Sequence, residues 1–106
     1  MTQQMLLERE FDTYFPESIA WVTRPTLRVA LNISEQQLTR DLEVLASLNL
    51  RQVGFDKIPW QRGFSRQCAL VVWEYRKLVK ERGKTQAILG IKQRMEELWM
   101  KRQSEW

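Results

Sequence analysis

The chain has 106 residues, with 17 Lys+Arg against 13 Asp+Glu, no histidine and one cysteine, and these counts exclude most site chemistry at the outset. Without histidine there is no Ser-His-Asp or Cys-His catalytic unit, and with Cys68 alone there is no intrachain disulfide, Cys/His zinc site or CxxC redox pair. The acidic residues are scattered and a chain this short has little room for a desolvated pocket around them, so the expectation is a binding module with no catalytic residue, metal or cofactor.

The charge is unevenly distributed. Residues 1–22 carry one basic against four acidic residues, residues 23–83 eleven against six, and residues 84–106 five against three. A basic body with a sequence pI near 9.6 is the electrostatic footprint of a nucleic-acid binder, because neutralised phosphates release condensed counterions. A net charge of +4 is equally that of many soluble domains with no anionic partner. Apolar runs such as Cys68–Trp73 fall far short of the roughly 20 residues a membrane helix needs. The segment Met1 to Glu10 is polar and acidic where a signal peptide has a basic start and an apolar stretch, and the lone thiol suits a reducing compartment, so the expected address is the cytoplasm.

In chain order, residues 1–22 hold Met5, Leu6, Phe11, Tyr14, Phe15, Ile19 and Trp21 without a long clean period, interrupted by Pro16, and read as an N-terminal arm or short helix against the body. Thr23-Arg24-Pro25-Thr26 is a helix entry, with threonine as N-cap and proline in the first turn, where its missing amide costs nothing. That helix should run to about Leu31. Asn32-Ile33-Ser34 breaks it, and Ser34-Glu35-Gln36-Gln37 is a capping box in which the glutamine side chain reaches back to the serine. Leu38, Leu42 and Leu45 then share one helical face.

After Asn49, residues 50–55 and 60–64 read as two strands of a twisted hairpin around Asp56-Lys57-Ile58-Pro59. Ser65 caps a helix with Cys68, Val71, Val72, Tyr75 and Val79 on its apolar face, which stops at Gly83. A last helix starts near Lys84, and Ile88, Ile91, Met95 and Leu98 form a heptad-like seam about two heptads long.

The segment Thr26 to Leu45 resembles a helix-turn-helix, and Ser34 to Leu45 looks like the recognition-helix text of winged-helix bacterial regulators, including the DeoR type. With a wing ending in Gly63-Phe64-Ser65-Arg66, and Tyr75-Arg76-Lys77-Leu78-Val79 and Arg82-Gly83-Lys84-Thr85-Gln86-Ala87-Ile88 behind it, the text over about residues 24–90 is similar to MerR-type DNA-binding domains. The resemblance implies an α+β, mainly helical fold: a winged helix-turn-helix over 23–83, followed by a dimerisation helix over 84–106 that pairs two copies through Ile88, Ile91, Met95, Leu98 and Trp99. It implies a homodimeric regulator on double-stranded DNA, a repressor in short form without an effector domain.

A recognition helix buries one face and offers short polar and basic groups to base edges in the major groove. With the leucines inward, Gln36, Gln37, Arg40, Thr39 and Glu43 face outward, Arg40 suiting guanine or phosphate and the glutamines adenine. Ser34, at the helix N-terminus, suits a cap or a phosphate. Arg51, Lys57, Gln61, Arg62 and Arg66 surround the wing, Trp60 is its stacking candidate, and Arg24 and Arg28 are phosphate clamps at the first helix. Each taken singly is an ordinary surface residue; the set is what points to DNA. Trp21, Trp73 and Trp99 read as core or interface, and Cys68 as core. Two rival readings use the same fold: an excisionase-like architectural protein that bends DNA, and a protein-interaction adaptor on a winged-helix scaffold.

Overall fold

The computed structural model describes residues 11–55 and 62–104, with side chains as far as Leu98. Local signals act as the sequence dictates. Helix α1 (Arg24–Leu31) starts on Thr23, whose backbone is extended and whose hydroxyl accepts from the Thr26 amide at 3.4 Å. It stops at Asn32, in the left-handed region (φ 55°, ψ 50°). There the Asn32 amide donates to the Val29 carbonyl at 3.1 Å and the Ile33 amide to the Arg28 carbonyl at 3.2 Å, the paired bonds of a Schellman turn. Ser34 then caps helix α2 (Glu35–Ser47) through the Gln37 amide at 3.1 Å.

Ser65 caps helix α3 (Arg66–Arg82) through the Cys68 amide at 3.1 Å. One residue, Gly83 at φ 87°, separates α3 from helix α4 (Lys84–Ser104). No described helix is long and apolar enough to cross a membrane.

The sheet departs from the expected hairpin. Strand β1 (Trp21–Thr23) pairs antiparallel with β2 (Gly63–Ser65), Val22 opposite Phe64. Residues 50–55 are not a strand: Arg51–Val53 is a 3-10 turn, closed by the Phe55 amide donating to the Leu50 carbonyl at 3.0 Å, with Gly54 at φ 98°. Leu50, Val53 and Phe55 are all buried. A strand would send Leu50 and Val53 to opposite faces, whereas a 3-10 turn stacks residues three apart on one. The expected turn, 56–59, and the first two residues of the expected second strand, 60 and 61, lie outside the described residues.

Each strand runs straight into a helix, so the ladder sets the starts of α1 and α3 side by side, and the Arg24 amide donates to the Arg62 carbonyl at 2.9 Å. Gly63 makes this approach possible, because a Cβ there would lie 2.3 Å from Trp21 Nε1. Trp21, expected as core or interface, lies over this glycine and stays 56% exposed.

Helix α3 is the centre of the core. Cys68, Ala69, Val71, Val72, Tyr75 and Leu78 are buried on it, packed by the leucines of α2, by α4, and by Phe11 and Phe15 from the N-terminal segment. The two phenylalanines stand edge-on to Trp73, with ring centroids 5.5 and 6.4 Å away. From residue 11 onward the expected arm is thus part of the core, helical over 11–14 and fastened by Arg66, while its residues 1–10 lie outside the described residues. Arg66 Nε donates to the Phe15 carbonyl at 2.8 Å, its Nη2 to Asp12 Oδ1 at 2.7 Å, and its guanidinium lies 5.0 Å from the Phe11 ring centre.

Helix α4 returns along α3, since Arg94, eleven residues beyond Gly83, meets Glu74, nine residues before it, at 3.4 Å. The seam expected to join two copies is turned inward. Ala87, Ile91 and Met95 are buried against the same chain, and Ile88 and Leu98 are partly covered by its core. A heptad stripe shows that a helix has an apolar face, and says nothing of whether the covering helix belongs to the same molecule.

Candidate nucleic-acid interface

Leu38, Leu42 and Leu45 of α2 are fully buried, which fixes the helix's rotation about its own axis. The face turned to solvent carries Gln36, Arg40 and Glu43, all exposed and spaced four and three residues apart, hence one row about 10 Å long at 1.5 Å per residue. Among the described residues, no hydrogen bond or ion pair ties these three side chains down.

Their neighbours are tied. Arg24, nearly buried, reaches from the start of α1 to the start of α2: its Nε donates to Glu35 Oε1 at 2.7 Å and its Nη2 to Thr39 Oγ1 at 2.7 Å. Arg24 and Thr39, both expected at DNA, instead set the angle between the two helices. Arg28 is half-exposed, its Nε 3.7 Å from Glu35 Oε2. Gln37 does not complete a capping box; its Nε2 donates to Asp41 Oδ1 at 2.8 Å. Asp41 offers an anionic acceptor one turn ahead, which competes with the Ser34 amide for that side chain.

Asp41 is the second brace. It sits on the leucine face, 2% exposed, and meets Arg76 of α3 through Oδ2–Nε at 2.6 Å and Oδ1–Nη2 at 2.8 Å. Burial pushes the Asp41 carboxyl above its usual range despite Gln37, Arg76 and the charge of Lys84. Burial, and then the Asp41 charge, raises Tyr75 beside it. Sequence reading missed this brace, although its signal was present: an aspartate between Leu38 and Leu42 on a buried face needs a buried cation, and Arg76 lies on the neighbouring helix. A third buried group, Glu74 with Lys77 and Arg94 at 3.7 and 3.4 Å, joins α3 to α4 far from α2 in sequence.

Of the other candidates, Ser34 is exposed and caps α2, while Arg51 and Arg62 are exposed, Arg62 beside the start of α1. Arg66 is turned to the N-terminal segment and leaves the set. Lys57, Trp60 and Gln61 lie outside the described residues, as does the side chain of Trp99. What converges is a row of one amide, one guanidinium and one carboxylate on a braced helix, with Ser34 and half-exposed Arg28 at its N-terminal end. Compared with family models, curated proteins and solved structures, the chain matches none.

Proposed function

We propose that the chain binds duplex DNA by laying α2 in the major groove, and acts there as a sequence-specific regulator of transcription. The observation that carries this reading is the row Gln36, Arg40 and Glu43, unengaged and exposed on a helix whose opposite face is locked into the core. Those side-chain types match base edges in the groove: glutamine with adenine, arginine with guanine, and a carboxylate with the amino group of cytosine. The braces from Arg24 and Arg76 support the reading, because base readout needs a helix held in place before contact. Exposed Arg62, beside the start of α1, and half-exposed Arg28, within α1, supply positive charge for flanking phosphates. A homodimer on the DNA would join its two copies through a surface other than Ile91 and Met95, which are covered within the chain.

The test is a fluorescence-anisotropy titration against pooled genomic fragments, including the DNA upstream of the chain's own gene, at two salt concentrations. Selective, salt-weakened binding is the expected result. Arg40→Ala then costs about 1–3 kcal/mol on the selected site, and much less on random duplex. Equal losses on both make Arg40 a phosphate contact, and absence of binding at low salt by folded protein refutes the reading in favour of a protein adaptor.

A further inference from the structure

The three side chains of the exposed α2 row do not stand equally before a duplex. Gln36 carries both donors and an acceptor, so it finds a partner on any base edge. Arg40 carries donors alone, and where no guanine stands opposite it can turn to a phosphate, which every sequence supplies. Glu43 carries acceptors alone. Phosphates repel it, as do O6 and N7 of guanine and O4 of thymine. Its donors among the major-groove edges are the amino groups of cytosine and adenine.

Among the described residues, no hydrogen bond or ion pair gives this carboxylate another task. Glu43 is the ninth of thirteen residues, in the half of α2 whose dipole favours cations. Arg40, three residues earlier, stands in the less favourable order for a helical ion pair, base before acid, and the two do not pair. Beyond Glu43 the exposed residues are short, Ala46 and Ser47, and the Ser47 hydroxyl donates to the Val44 carbonyl at 2.6 Å. Glu43 therefore ends the row. Buried Leu42 and Leu45, with Asp41 held by Arg76, deny α2 the rotation that would swing the carboxylate away. From Arg40 to Glu43 the helix rises about 4.5 Å, a little over one base-pair step of about 3.4 Å.

We propose that Glu43 sets the sequence selectivity of α2 by exclusion, rejecting guanine and thymine on the strand it faces, one base pair beyond the contact of Arg40. The inference rests on the reading of α2 as a major-groove helix. Cytosine is the favoured base, because its groove edge offers the amino group without a neighbouring acceptor; adenine, whose N7 lies beside its amino group, is second. Selectivity is a difference between affinities, and a carboxylate with no donor opposite loses its water and gains nothing. Gln36 and Arg40 reward a right base, whereas Glu43 penalises a wrong one.

The experiment is selection of bound sites from a randomised duplex library by wild type, Glu43→Gln and Arg40→Ala, followed by anisotropy titration of the selected site, of that site with one base pair reversed, and of random duplex. Glu43→Gln keeps the shape, removes the charge and adds donors, so any base becomes acceptable at its position. The exchange falls on an exposed side chain, and unchanged thermal unfolding checks the fold. Wild type is expected to select cytosine at the position next to the preference lost in Arg40→Ala, and reversing that pair to guanine·cytosine weakens it about tenfold. Glu43→Gln should select the same site with that one preference gone, show little response to the reversal, and bind random duplex more tightly than wild type does. Identical selections by wild type and Glu43→Gln, or a variant weakened equally on every sequence, would overturn the proposal and leave the reading of α2 standing. A wild type that binds duplex and selects no site removes both.

Discussion

Replacing Arg76 by methionine tests whether α2 is braced electrostatically from beneath. Methionine keeps most of the aliphatic stem and removes the cation that meets Asp41 at 2.6 and 2.8 Å. Asp41 is 2% exposed and Arg76 14%, so the variant leaves a carboxylate in the core with Gln37 as its one remaining donor among the described residues. Stranding one partner of a buried pair costs about 3–5 kcal/mol, and the slight access of water to Arg76 places the loss near 3 kcal/mol. With a urea dependence of about 1.5 kcal/mol per molar, the midpoint drops by about 2 M at neutral pH.

The loss depends on pH in a defined direction. Burial raises the folded Asp41 carboxyl above its ordinary 3.8, so folding favours its protonated form. Stability from this group is therefore greatest below 3.8 and declines as pH rises through the folded value. Removing Arg76 takes away a charge that lowers that value, so it climbs further and the decline continues to higher pH. The gap between wild type and variant is wide at neutral pH and narrows in acid, as Asp41 takes up its proton in both. Urea denaturation at neutral and acid pH measures it. A loss under about 1 kcal/mol at neutral pH, or a gap that does not narrow in acid, refutes the brace. Asp41→Leu combined with Arg76→Met should recover most of the loss, because an apolar pair strands no charge.

Gly54 and Gly90 should respond oppositely to alanine. At Gly54, φ is 98° and a Cβ would lie 2.2 Å from Gln67 Cγ, displacing the side chain that holds the Val53 carbonyl, so the expected loss is about 2 kcal/mol, or roughly 10 °C in thermal unfolding. Gly90, inside α4 with open space around it, should gain about 0.5–1 kcal/mol on becoming alanine. Met95→Ala should cost about 2–4 kcal/mol by urea denaturation with the molar mass by light scattering unchanged; a fall in mass at unchanged stability would return the seam to a second copy.

The helix boundaries were legible because they are local. Thr23, Ser34 and Ser65 cap their helices from three residues before the amide they hold, and Gly83 ends α3 where a left-handed backbone is needed. The inward face of α2 was legible from leucine spacing, and with it the outward position of Gln36 and Arg40. Both helices, α1 and α2, and the tight turn between them follow from such short-range chemistry.

Tertiary structure alone decided which cations remain available and which apolar faces remain bare. Arg24 with Glu35, Arg76 with Asp41 and Arg66 with Asp12 join residues 11, 35 and 54 positions apart, and nothing in the local text separates these arginines from exposed Arg40 or Arg62. Strand 63–65 finds its partner at 21–23 rather than in the nearer 50–55, because Leu50, Val53 and Phe55 all turn to one core. The apolar stripe of α4 closes on α3 because a single glycine lets the chain return on itself. Caps and periodicity depend on a few neighbouring residues, so the sequence alone determines them; pairing depends on which surfaces the folded chain brings within reach, and only the folded chain decides it.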